Sequence, residues 1–144
     1  MLKFPSHPER WWQKRLVDDD GRPLPAELAV LRRVLRPGES GAWLNSRGTR
    51  TGVTDLTRTP EGTLKTVRTE LPPFVSDLLK TFYKTPGLSK GIFDLVIWHE
   101  ASKQVRFIEV KCPHRDRLTP EQRAFADIAR QLYIDTDVVE WEFE

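Results

Sequence analysis

The stretch Phe93-Asp94-Leu95-Val96-Ile97-Trp98-His99-Glu100-Ala101-Ser102-Lys103-Gln104-Val105-Arg106-Phe107-Ile108-Glu109-Val110-Lys111 decides the fold. It holds two apolar runs, Phe93 to Trp98 and Val105 to Val110, separated by the polar, turn-like His99 to Lys103. Short apolar runs bounded by a polar turn predict two strands of one hairpin. Successive side chains on a strand point to opposite faces. Glu109 and Lys111 therefore share one face, while Ile108 and Val110 take the other. Asp94 stands at the start of the first strand.

Working outward, Thr119 to Leu132 predicts a helix. Thr119 suits the N-cap, Pro120 the first helical position, and Gln122 stands three residues after the cap. Its expected buried face is Phe125, Ile128, Ala129 and Leu132, and Gln122 falls on the same stripe. Asp137 to Phe143 predicts a last strand, with Val139, Trp141 and Phe143 alternating against Glu140, Glu142 and Glu144.

Upstream, a helix opened by Pro72-Pro73 carries Phe74, Val75, Leu78, Leu79 and Phe82 and stops near Pro86-Gly87. Another runs from Pro25 to just before Pro37-Gly38, with Leu24, Leu28, Leu31 and Leu35 at helical spacing. Glu27 lies on that apolar stripe. It is either a buried carboxylate that needs a partner or a metal, or a hydrated residue favoured by the helix dipole. Between these helices the pattern is weak: a strand over Thr63 to Thr69 is expected, and Trp43 should anchor the region to the core. Residues 1 to 23 read as an N-terminal arm with a turn at Asp20-Gly21, ahead of a single domain over 24 to 144. The pair Trp11-Trp12 covers part of the core or, alternatively, offers a ring for base stacking.

Bulk composition narrows the class. With 144 residues, 38% hydrophobic and 31% charged, the chain suits one globular domain rather than a disordered segment. No apolar run approaches the roughly 18–20 residues needed to span a bilayer, and Met1 to Trp12 is too polar for a signal peptide. One cysteine, Cys112, excludes an internal disulfide and a cysteine-based zinc site. An intracellular, reducing setting is the expectation. A net charge of +2 does not by itself announce a nucleic-acid binder. The arginines cluster over Arg10 to Arg50 and Arg106 to Arg130, and Arg115, Arg117 and Arg123 are the candidate phosphate contacts.

Asp94, Glu109 and Lys111 are the candidate chemistry. Two carboxylates bearing on one point repel unless a cation lies between them, and oxygen donors suit Mg²⁺ or Mn²⁺. A neighbouring lysine stabilises negative charge on a phosphate. Those parts meet the needs of phosphodiester hydrolysis. A set of solvated surface ion pairs is the plainer alternative. Cys112 is a poor nucleophile candidate, because no oxyanion donor or third group accompanies it.

The stretches Gly91 to Trp98, Phe107 to Pro113 and Asp116 to Gln122 resemble the VRR-NUC domain of the PD-(D/E)xK nuclease superfamily, which includes the C-terminal domain of the Fanconi-associated nuclease. The likeness covers roughly residues 87 to 143. It implies an α/β fold with a restriction-endonuclease-like core, a small mixed sheet flanked by helices. It also implies metal ligation by Asp94, Glu109 and the Val110 carbonyl, Lys111 as the catalytic lysine, and Gln122 as the helix glutamine beside the site. Such nucleases carry a further glutamate on the first core helix; Glu27 is the choice, with Glu39 and Glu70 as rivals. Phe93 stands where the family usually has proline, and Cys112 where the Fanconi-associated nuclease has glycine.

The resulting expectation is a Mg²⁺- or Mn²⁺-dependent endonuclease, structure-selective on branched DNA (junction or flap), working as a homodimer and without a membrane partner. A DNA-binding or regulatory module without turnover and an RNA-directed nuclease are the rival expectations.

Overall fold

A computed structural model of the chain describes residues 1–46, 48–113 and 117–144. The deciding hairpin is β8 (Leu95–His99) and β9 (Gln104–Lys111), antiparallel with Leu95 opposite Ile108 and His99 opposite Gln104. Asp94 stands immediately before β8. On the other side β8 pairs with β5 (Glu39–Trp43), which continues to β6 (Thr51–Arg58) and the edge strand β7 (Leu64–Glu70). Beyond β9 come β10 (Asp135–Phe143) and β1 (Leu2–Phe4), each parallel to its neighbour. The result is a mixed seven-stranded sheet, ordered β1-β10-β9-β8-β5-β6-β7.

Helices cover both faces, as the expected α/β class requires. On one face lies α1 (Ala26–Val34), together with a small antiparallel sheet of β2 (Ser6–Trp11), β3 (Lys14–Asp19) and β4 (Arg22–Leu24). Leu16, Leu24, Leu28 and Leu31 pack there against Leu95, Ile97, Ile108 and Val110. On the other face lie α2 (Pro73–Lys84) and α3 (Pro120–Gln131), whose Leu79, Phe82 and Phe125 pack against Val96, Trp98 and Phe107. Alternate residues of β8 thus enter opposite cores, which is why its sequence reads as a continuous apolar run. Phe125 is the hub of the second core, its ring 4.9 Å from Phe82 and 5.1 Å from both Phe93 and Phe107. Phe93 therefore fills the space under α3.

Several elements differ from expectation. The weak region 38–70 contributes three strands, of which only β7 had a sequence signal. β5 is short and small-chained because α1 crosses it closely: a Cβ on Gly41 would lie 2.6 Å from Leu31 Cδ1. Residues 1–23 lie against the body. β1 extends the sheet, and Phe4, Leu16 and Val17 are fully buried. The expected turn at Asp20-Gly21 joins β3 to β4, with φ of 53° and 87°. Leu132, expected on the buried face, is half exposed, because α3 ends at Gln131 and Leu132 is its C-cap. Among the described residues, no helix is long and apolar enough to cross a membrane.

Candidate active site

The entry to β8 is fixed from both sides. Leu44 N–H donates to the Asp94 carbonyl at 2.7 Å. Asp94 N–H donates to Glu109 Oε1 at 3.0 Å, and Val110 N–H donates to Asp94 Oδ2, also at 3.0 Å. Each carboxylate thus grips the backbone of the strand that carries the other. Glu109 Oε2 accepts from Gln122 Nε2 at 2.7 Å and pairs with Lys111 Nζ at 3.1 Å. Glu109 is 3% exposed and the Lys111 side chain 13%, so this is a buried ionic cluster and not a solvated surface set.

Gln122 reaches the cluster because α3 starts where it does. Its capping box with Thr119 fixes the first turn. Gly91 lets that turn approach, since a Cβ there would collide with the Glu121 carbonyl.

The third carboxylate comes from α1. Glu27 lies in the first helical turn and is buried, so the structure matches the reading of a buried carboxylate that needs a partner and not that of a hydrated one. Its Oε1 pairs with Lys14 Nζ at 3.0 Å, while its Oε2 is buried without a hydrogen-bond partner. Asp94 feels this assembly. Burial, then the charge of Glu109, with a further contribution from Glu27, pushes its carboxyl up to about 8, against the pull of the Val110 N–H.

The two rivals of Glu27 stand elsewhere. Glu39 lies across from His99, at the other end of β8, and binds Arg106 through 2.8 and 2.9 Å hydrogen bonds. Glu70 is exposed on the edge strand β7. Arg117 and Arg123 are exposed beside α3, and Arg115 lies outside the described residues. Lys14 was not expected at this site. No local pattern marks it, because it arrives through the packing of the β2–β3 hairpin against α1.

The donor set fits a hard divalent cation. Three carboxylates share a buried region, one carries an orphaned oxygen, and the carboxyl of another is raised by burial and by the charge of its neighbours. Among the described residues no three His, Cys, Asp or Glu side chains form a ready-made cage. Lys14, Lys111, Gln122 and the Val110 N–H take the carboxylate oxygens instead. A cavity of about 590 Å³ lies at the Arg36, His99 and Arg106 end of the sheet and includes none of these carboxylates.

Residues 43–140 match the VRR-NUC domain family. This chain belongs to that family. The matched span contains Asp94, Glu109, Lys111 and Gln122, and begins after α1, Glu27 and Lys14. No curated protein matches the chain. Two solved structures of paFAN1 bound to gapped 5′-flap DNA are similar to this VRR-NUC domain. The one with a 2-nucleotide flap is 27% identical over 49% of this chain and 12% of that chain, with a TM-score of 0.37. The one with a 1-nucleotide flap is 25% identical over 51% of this chain and 14% of that chain, with a TM-score of 0.38. This VRR-NUC domain therefore spans only a small part of paFAN1's length.

Proposed function

We propose that this VRR-NUC domain is a Mg²⁺- or Mn²⁺-dependent DNA endonuclease that selects branched DNA, a junction or a flap, and acts as a homodimer. The observation that carries the reading is the buried convergence of Asp94, Glu109 and Lys111, braced by Gln122, with Glu27 beside it.

Asp94, Glu109, Glu27 and the Val110 carbonyl are the residues that would hold the ion. When bound, it supplies positive charge that polarises a phosphoryl oxygen and acidifies a water. Lys111 adds fixed charge: its ammonium, held by Glu109, stabilises the negative charge that grows on the phosphate in the transition state. Gln122 orients the Glu109 carboxylate and leaves it no freedom to swing toward solvent. Burial and the charge of Glu109 favour the protonated Asp94 carboxyl, and a bound cation would favour its ionised form. Arg117 and Arg123, together with Arg115, are proposed to contact phosphates flanking the scissile one.

Cleavage of labelled single-stranded, duplex, flap and four-way junction DNA, with Mg²⁺, Mn²⁺ or EDTA, tests the reading against Asp94→Ala. Metal-dependent cutting that vanishes in the variant is the expected result. Intact DNA binding without cutting of any substrate would replace it with a binding module, and preferential cutting of a matched RNA hairpin would redirect it to RNA.

A further inference from the structure

The β2–β3 hairpin ends in a two-residue loop, Trp12 and Gln13, between the paired Trp11 and Lys14. Its two tryptophans diverge. Trp11 turns inward and meets Trp43 edge-on, ring centroids 6.2 Å apart. Trp12 is 86% exposed. It also holds a φ of 55° at the first loop position, where two-residue hairpin loops favour glycine. Both features oppose stability: a bulky residue is strained in the left-handed region, and an indole in water forgoes its burial. A loop selected for folding alone would carry glycine or asparagine there.

The tip is nonetheless held firmly. Arg10 Nη1 donates to the Gln13 carbonyl at 3.3 Å. Arg58 donates to both Glu9 oxygens at 2.9 and 2.8 Å, which ties the hairpin to β6. Lys14, next to the loop, bonds Glu27 at 3.0 Å, which links the base of the loop to the carboxylate cluster. A cleft of about 500 Å³ opens at this tip, lined in part by Glu9, Arg10, Trp11, Trp12, Arg58 and Thr63.

We propose that Trp12 is a stacking platform for an unpaired DNA base next to the cleavage site, with Arg10 contacting an adjacent phosphate. This rests on the DNA-nuclease reading above and deepens it by naming the substrate feature recognised. An indole face stacks on any base, whatever its sequence. A base inside a duplex has both faces covered, so the platform selects DNA carrying a single-stranded arm. The neighbouring cations supply the backbone attraction such stacking sites use.

Binding without turnover tests this, by fluorescence anisotropy in EDTA. The probes are a labelled blunt duplex and the same duplex with a single-stranded arm, and the proteins are wild type, Trp12→Gly and Trp12→Phe. Trp12→Gly should weaken binding of the armed duplex about ten- to a hundred-fold, leave the blunt duplex little changed, and melt no lower than wild type. Trp12→Phe should keep most of the affinity. Wild-type affinity of Trp12→Gly for the armed duplex, or an equal loss on both DNAs, would overturn the platform while cleavage still supports the nuclease reading. Failure of the wild type to bind either DNA would overturn both.

Discussion

Gln122 Nε2 donates to Glu109 Oε2 across 2.7 Å while Oε1 of the same amide accepts from the Thr119 N–H at 3.0 Å. One side chain thus closes the N-terminus of α3 and aims a buried carboxylate. Gln122→Ala should lower stability by about 1 kcal/mol through the lost cap and also slow cleavage. Gln122→Glu keeps an acceptor for Thr119 but replaces the donor to Glu109 with a second carboxylate. Its cleavage should fall as far as that of the alanine variant while its melting temperature falls less. Full activity in Gln122→Ala would remove the glutamine from the site.

Asp94 supplies a pH signature. Burial and the charge of Glu109 raise its carboxyl from an ordinary 3.8 to about 8. Between those values the folded chain holds a proton that the unfolded chain releases. The associated stability is complete below the unfolded value and is lost as pH rises through the folded one. In EDTA, the wild type should therefore lose stability relative to Asp94→Asn between about pH 5 and about pH 9. A constant difference in melting temperature across that range would contradict the arrangement.

Glu27 and Glu39 should separate cleanly. Glu27→Gln removes the carboxylate that faces Asp94, and should lower Mn²⁺ affinity by calorimetry and cut cleavage steeply with little effect on folding. Glu39 is held below its ordinary range by the Arg106 hydrogen bonds, in a pair whose side chains are 10% and 14% exposed. Glu39→Gln should cost about 3 kcal/mol of stability and leave the cleavage rate of the folded protein intact. The stabilisation from Glu39 is present above its ordinary value of 4.5 and is lost as pH falls through the lower folded value. The reverse pattern in these two variants would move the acidic role from α1 to β5.

Lys111→Ala should lower the single-turnover cleavage rate by about 10²–10³ with DNA affinity nearly unchanged, because the lysine acts on charge that develops only in the transition state. Equal losses in rate and affinity would assign it to binding.

The parts of the site legible in the sequence are those with local periodicity. Glu109 and Lys111 share a face because strands alternate, and Gln122 points inward because it lies three residues before Phe125 on α3. β5 was not legible: Glu39-Ser-Gly-Ala-Trp43 lacks an apolar alternation, since Gly41 is small to admit Leu31 of α1. Its strand character exists only through its pairing with β8. Residues 1–23 read as an arm because their apolar positions, Phe4, Leu16 and Val17, are scattered among charges. All three are buried in the one core under α1.

The sequence by itself determined the hairpin, the capped helix behind it and the shared face of Glu109 and Lys111, because these rest on hydrogen-bonding and side-chain periods a few residues long. Only the tertiary structure decided which of Glu27, Glu39 and Glu70 approaches Asp94, that Lys14 is the partner of Glu27, and that Trp11 is covered while Trp12 is not. Those outcomes depend on how α1 and the β2–β3–β4 sheet pack onto one face of the large sheet. That packing joins segments far apart in the chain, for which no local pattern exists.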